Sequence, residues 1–391
     1  MKDSLRILML NMEYPPVGGG SSPVTRGLAR GLVARGHRVD VVTMGYRDLP
    51  REEDDAGVQV FRVAGLRSRL EVSRTHELLL YAWLALRTAR RLSRAAPYDI
   101  CHAHFVLPTG MVPFALRRER DFPPYVITSH GSDIPGHNPD RFTRLHRFTP
   151  PLIRRILRAS SGVLVPSAAL ERLIRQRFPD VAPGLVQIAN GVDADRFEPC
   201  AKESRILLAT RLIRHKGVHQ VLEALATFPD HGHQLDVAGD GPERATLERQ
   251  ARRSGVPARF HGWLARTELD RLFERSRIFV LATASDNFPV SLLEAMAARC
   301  AIVATRAGGC PEVVGDAALL VDPGDVGGLR DALQALIRDP ALAQELGERA
   351  QRRVRERFAW PAIVAHHEQV YRAVLAAGAT SDQGRATGFQ R

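Results

Sequence analysis

Apolar residues recur along this chain as short β-branched runs separated by stretches of helical period. In the first half the runs at 6–12, 39–44, 58–63, 99–104, 125–130 and 162–166 predict strands, with helical patterns at about 22–35, 75–95, 109–119 and 149–159. The second half repeats the alternation, with strands at 205–210, 234–238, 278–281, 301–305 and 318–321 and helices near 217–227, 242–254, 266–275 and 289–299. Apolar strands alternating with helices predict a parallel sheet covered on both faces, here built twice. The expected fold class is therefore α/β, with two doubly wound Rossmann-like domains. Ala-Pro-Gly and Glu-Pro-Cys flank a short strand and place the boundary within 182–204. The expected division is 1–185 for the N-terminal domain and 200–360 for the C-terminal domain, then a helix at 361–377 crossing back to the first domain and a disordered tail at 378–391. Tandem sheets of this kind bring their strand carboxyl ends across a central cleft, the default ligand site.

Length and composition narrow the class. A chain of 391 residues with 45% hydrophobic and 25% charged residues suits a globular protein of two domains. No apolar run approaches the ~18 residues that span a bilayer. The apolar stretch before Glu13 is too short for a signal-peptide core and reads as a first buried strand. Cys101, Cys200, Cys300 and Cys310 form no C-x-x-C pair and suggest no disulfide framework, so a cytoplasmic protein is expected. The net charge of +12 is uneven: residues 1–180 hold 28 Lys/Arg against 17 Asp/Glu, and residues 181–391 hold 27 against 26. Arginines cluster at 67–74, 87–94, 117–120 and 141–158, which points the first half at an anionic membrane surface or an acidic partner. A compositional bias toward arginine, which supplies 52 of the 55 basic residues, is the competing explanation. The basic, amphipathic pattern at 150–158 suits either an interfacial helix or an ordinary surface helix. With 6% aromatics and no recognised nucleic-acid module, no nucleic-acid partner is expected.

The stretch 282–298, Ala-Thr-Ala-Ser-Asp-Asn-Phe-Pro-Val-Ser-Leu-Leu-Glu-Ala-Met-Ala-Ala, carries the most chemistry. A strand ends at Leu281, a polar turn follows, and Pro289 opens a helix bearing Glu294, eight residues after Asp286. A helix start offers unpaired N–H groups and a positive dipole end, so the turn suits polar or anionic ligand groups. Its two carboxylates can accept hydrogen bonds from sugar hydroxyls. After the strand at 205–210, Arg211 and Lys216 lie five residues apart across a loop. An arginine fork and a lysine point charge suit a diphosphate.

Other clusters also follow strands. Gly18, Gly19 and Gly20 precede a helix and permit close backbone approach to a ligand. The pattern is not G-x-G-x-x-G, and the second strand ends in Thr43-Met44-Gly45 without a ribose-binding acid, so no dinucleotide cofactor is expected. His130 stands in Ile-Thr-Ser-His-Gly-Ser-Asp at a strand end. His102 and His104 share one face of a strand but lack a carboxylate-rich partner segment, and no metal site is expected. Asp193-Ala-Asp195 reads as a turn or cap.

In order and spacing these residues resemble the family 4 retaining glycosyltransferases of the GT-B fold, over about 5–376. The resemblance rests on the glycine-rich first loop, His130-Gly-Ser-Asp133, Val165-Pro-Ser167, Asn190-Gly-Val-Asp193, Arg211-x4-Lys216, Ala238-Gly-Asp-Gly-Pro242, Phe260-His-Gly262, the 285–296 turn and Gly308-Gly-Cys-Pro-Glu312. It implies transfer of a hexose from a nucleotide diphosphate sugar to an acceptor hydroxyl with retention, in polysaccharide, lipid-linked glycan or glycolipid synthesis, without metal or cofactor. Arg211 and Lys216 would hold the diphosphate, Glu294 the ribose, and the backbone at Asn287, Phe288 and Pro289 the hexose. Gly19 and Gly20 would line the donor side, and His130 would orient the hexose or stabilise developing charge. The resemblance has one departure: Asp286 stands where the family's motif has Glu, and Asn287 where Gly is more frequent. Donor choice is expected to be set there. A soluble enzyme acting on small acceptors and a non-catalytic sugar-nucleotide-binding protein are the alternatives.

Overall fold

A computed structural model describes residues 3–65, 67, 73–137, 147–228 and 232–386. Parts of two arginine clusters, 68–72 and 141–146, lie outside the described residues, as does the end of the expected tail, 387–391. The chain divides into two compact units: residues up to Ala189 together with those from Trp360 onward, and Asn190–Ala359.

The first unit begins with β1 (Arg6–Leu10), α1 (Ser21–Ala34), β2 (Arg38–Met44), β3 (Glu52–Asp55), β4 (Val58–Val63) and α2 (Thr75–Ala95). It continues through β5 (Ile100–His104), α3 (Met111–Leu116), β6 (Tyr125–Thr128), α4 (Pro150–Ala159), β7 (Gly162–Val165), α5 (Ala168–Arg177) and β8 (Leu185–Gln187). Its sheet runs β3-β4-β2-β1-β5-β6-β7-β8 and is parallel except for the β3–β4 pair. Successive residues of β1 point to opposite faces. Leu8 and Leu10 join Tyr81 and Ala85 of α2 and Ile153 and Ile156 of α4 in one core, while Ile7 and Met9 join Leu28 and Leu32 of α1 in the other.

The second unit contains β9 (Glu203–Ala209), α6 (Val218–Ala226), β10 (Gln234–Ala238), α7 (Arg244–Ser254), β11 (Ala258–Gly262) and α8 (Arg266–Arg275). It continues with β12 (Ser276–Leu281), α9 (Val290–Ala297), β13 (Ala301–Thr305), α10 (Cys310–Val314), β14 (Ala318–Val321), α11 (Val326–Arg338) and α12 (Pro340–Arg357). Its six-stranded parallel sheet runs β11-β10-β9-β12-β13-β14, so the direction of winding reverses between β9 and β12.

The last helix, α13 (Trp360–Ala386), belongs to the first unit. It packs on α1, where Gly27 and Gly31 leave a flat strip: a Cβ at Gly27 would lie 2.0 Å from Trp360 and one at Gly31 would lie 2.4 Å from Val364. Arg35 Nε donates to Glu368 Oε2 at 2.6 Å across the same seam.

One expectation is corrected and one open alternative is decided. The helix does not stop at 377; it continues through 378–386, because a helix already formed by burial against α1 gains a hydrogen bond for each residue added. The amphipathic segment 150–158 does not offer its apolar face to a membrane. Ile153, Ile156 and Leu157 of α4 are buried in the first unit's core, and only its arginine face points outward. Among the described residues no helix is long and apolar enough to cross a membrane.

Candidate functional site

In open parallel sheets ligands bind beyond the strand carboxyl ends where the winding reverses. In the second unit that point lies between β9 and β12, and it is here that the expected donor residues gather. The loop after β9 carries Arg211 and ends in a single 3₁₀ turn, Arg214–Lys216. The loop after β12 carries Asp286, Asn287, Phe288 and Pro289. Lys216, largely buried, donates through Nζ to Asp286 Oδ2, so the two residues form one ion pair. Arg211 is partly exposed and forms no ion pair among the described residues.

Close packing of the loops fixes this geometry. His215 O accepts from Ala284 N at 2.7 Å and from Thr283 Oγ1 at 3.2 Å, which ties the first loop to the second. Gly217 (φ +71°) passes so near Ala282 that a Cβ would lie 1.9 Å from its carbonyl oxygen. Gly308 (φ +55°), in the loop after β13, presses on the turn from the other side, and a Cβ there would lie 1.8 Å from Asp286 O. Gly309 N donates to that same oxygen at 3.0 Å. Both glycines combine a left-handed backbone with a contact that only hydrogen allows. Pro289 is the N-cap of α9, and Phe288 packs on Phe358 with ring centroids 5.6 Å apart. Asn190 Nδ2 donates to Phe288 O at 3.1 Å.

Glu294, one turn into α9, is buried, and its carboxylate takes a charge-assisted hydrogen bond from Arg266 Nη1 at the start of α8. Arg266 Nη2 also lies 2.8 Å from Asp270, which in turn binds Arg196 at 2.6 Å. Sequence reading missed Arg266. Nothing in its local pattern signals a partner in the next βα unit; the pairing exists only once β12 seats α9 beside α8. The Asp193-Ala-Asp195 segment is a turn: Asp195 N donates to Asp193 Oδ1 at 3.3 Å, and Asp195 pairs with Arg355 at 2.8 Å.

In the first unit the winding reverses between β1 and β5. The loop after β1 holds the three glycines, and a second overlooked residue organises it. The buried Glu13 folds back so that its Oε2 accepts from Gly19 N at 3.1 Å and from Ser21 Oγ at 2.6 Å. The loop therefore places its own carboxylate at the start of α1, which disfavours a phosphate there. Gly20 is the N-cap residue of that helix.

His130 lies two residues beyond β6. Its Nε2 is 3.0 Å from Nδ1 of His104, and its ring stacks on that of His104 with centroids 5.3 Å apart. Burial lowers the His130 imidazole to about 4, against the opposing pull of the Glu13 carboxylate, so the ring is neutral near pH 7. Burial likewise holds His104 well below the usual range. Asp133 braces the loop by accepting from Val106 N at 2.7 Å, Ser129 Oγ at 2.9 Å and Gly131 N at 3.0 Å. His102 does share a face with His104, at 4.4 Å between centroids. Both its nitrogens are engaged, by Tyr371 Oη at 2.6 Å and Thr128 Oγ1 at 2.7 Å. Among the described residues no group of three or more His, Cys, Asp or Glu is placed to hold a metal ion.

This architecture is the GT-B architecture of glycosyltransferases. The sucrose-phosphate synthase of Thermosynechococcus elongatus superposes with a TM-score of 0.82 at 24% identity, covering 95% of this chain and all of that one. Family models agree: residues 18–196 match Glycosyltransferase Family 4 and residues 193–353 match Glycosyl transferases group 1. The glycogen synthase of Mycobacterium tuberculosis is 31% identical over 94% of each chain. The N-acetyl-alpha-D-glucosaminyl L-malate synthase of Bacillus anthracis is 28% identical over 93% of this chain and 96% of its own. The chain belongs to the group 1 glycosyltransferases of family 4.

Proposed function

We propose that the protein is a retaining glycosyltransferase that moves a hexose from a nucleotide diphosphate sugar to an acceptor hydroxyl in glycan synthesis, without a metal ion. The observation that carries this reading is the Lys216–Asp286 ion pair at the second unit's switch point, with Arg211 on the same loop as Lys216 and the buried Glu294 on the helix that follows the Asp286 turn. Arg211 and Lys216 supply two positive charges for the departing diphosphate, and Glu294 offers the ribose hydroxyls a carboxylate. The Asp286–Pro289 turn suits the hexose, and the role assigned to His130 is to orient the hexose or stabilise developing charge. No enzyme nucleophile is needed. The acceptor oxygen attacks the anomeric carbon from the face the diphosphate leaves, the carbon–oxygen bond to phosphate breaks, and the leaving phosphate oxygen takes the acceptor's proton. Fixed cations at the leaving group stabilise the charge that develops there.

A screen of UDP-, GDP- and ADP-sugars by thermal melting in EDTA tests donor binding and metal independence together. A ligand at about 100 times its Kd is expected to raise the Tm of a unit this size by roughly 5–10 °C. No shift with any nucleotide sugar in EDTA, but a shift once a divalent cation is added, would contradict the metal-free reading.

The basic first unit further supports an acceptor met at an anionic membrane surface. With the apolar side of α4 buried, α2 supplies the apolar contact. Leu79 and Trp83, 58% and 52% exposed, stand on the same helix as the exposed Arg87, Arg91 and Arg94, while the half-buried Arg90 pairs with Glu119. Trp83 carries Arg87 stacked on its ring at 4.1 Å. Tryptophan at the interface with arginines beside it suits an anionic headgroup layer. Wild-type protein is expected to float with phosphatidylserine vesicles at low salt, and Leu79→Ser/Trp83→Ser to lose most of that binding. Absence of flotation by wild type would leave the soluble, small-acceptor reading.

A further inference from the structure

His104 is buried within a stack of histidine rings, between His102 and His130, and its Nε2 has no hydrogen-bond partner among the described residues. Its Nδ1 meets His130 Nε2. Both rings are neutral near pH 7, so a single proton serves that contact and two arrangements exist. If His130 donates from Nε2, His104 must carry its own proton on Nε2, leaving a buried N–H with no acceptor. If His104 donates from Nδ1, its Nε2 is only a bare lone pair. Buried N–H groups without acceptors are rarer in folded proteins than acceptors without donors, so the second arrangement is the stable one. His130 then carries its proton on Nδ1.

We propose that His104 is a positioning residue: its Nδ1–H holds His130 Nε2, so that His130 meets the sugar as a neutral Nδ1–H hydrogen-bond donor and not as a base. The proposal rests on the reading that His130 serves the transfer reaction. His104 is itself clamped by the stacked His102, whose own two hydrogen bonds fix that ring.

The test uses full-length protein labelled with ¹⁵N-histidine, with long-range proton–nitrogen spectra assigned by His130→Asn. Wild type is expected to show His130 protonated at Nδ1 and bare at Nε2; an Nε2–H form would overturn the proposal. His104→Leu removes the donor and is expected to lower kcat ~10–100-fold, a range typical of lost outer-shell orientation, with donor KM little changed. His104→Asn, whose amide N–H stands near the Nδ1 position, is expected to recover most of that loss. Equal impairment in both variants would overturn the positioning role. Unchanged turnover in His130→Ala would instead remove His130 from the reaction, and the tautomer seen in wild type would still decide which ring donates. Should His104→Leu fail to fold, that same wild-type spectrum decides.

Discussion

Lys216→Met lowers kcat/KM by roughly 100- to 1,000-fold, the range seen when one preorganised group that stabilises transition-state charge is removed. The loss falls mainly on kcat, because the ammonium matters most when the diphosphate leaves and its negative charge grows. Methionine keeps the unbranched stem and therefore the packing of the loop after β9. Removing the ammonium also takes the ion-pair partner from Asp286, so a modest fall in Tm accompanies the kinetic loss. Steady-state kinetics beside a melting curve separate the two effects. A folded variant with unchanged kcat/KM would show that Lys216 serves only to hold the Asp286 turn. Arg211→Met lacks that complication, since Arg211 has no ion-pair partner among the described residues, and a comparable loss is expected from it.

Gly308→Ala gives the second large effect, by a different route. The substitution places a methyl group 1.8 Å from the carbonyl oxygen of Asp286 at a left-handed backbone position. Either the loop after β13 or the Asp286–Pro289 turn must move. A shift of about 1 Å in a residue that positions substrate costs on the order of 100-fold in rate. Donor affinity and kcat/KM are both expected to fall, by roughly that factor in the latter. Gly324→Ala provides the control. It too has a positive φ, +88°, but a Cβ there meets nothing within 4 Å. It carries the left-handed strain of roughly 1–2 kcal/mol with no effect on catalysis. Equal kinetic losses in both variants would mean that general destabilisation, and not displacement of the turn, is responsible.

The periodic elements were legible because apolar strands and amphipathic helices repeat through the chain. What sequence reading missed has local causes. β3 is Glu-Glu-Asp-Asp, with no strand propensity. It forms at the sheet edge by antiparallel pairing with β4, where Asp55 accepts from Arg26 and Tyr14. β11 is likewise an edge strand, with Arg259 and His261 breaking the apolar run. α5 did carry a signal: Ser167 caps it by accepting from Leu170 N at 3.1 Å. After Asp325 the chain forms three helices, α11, α12 and α13, and the first break was readable in Asp339-Pro340, where the carboxylate caps Ala341 and Leu342.

At the site, the positions of Arg211, Lys216, Asp286 and Glu294 followed from their place after strands. Their partners did not. That Lys216 pairs with Asp286 and Glu294 with Arg266 depends on which βα units the sheet order makes neighbours, whereas Glu13 reaches the glycine loop by folding back within its own connection. The β9–β12 adjacency is a crossover that the sequence does not encode locally. The departure at Asp286 also takes on physical content. The shorter acid reaches Lys216 directly and forms an ion pair with it.

The central claim is transfer with retention by the Arg211, Lys216, Asp286 and Glu294 site. Its most direct measurement is proton NMR of the anomeric centre during turnover, in EDTA, with the α-configured nucleotide sugar that raises Tm most. An α-configured product at the first point of the time course, absent with Lys216→Met, is the expected result. A β-configured first product would contradict the account.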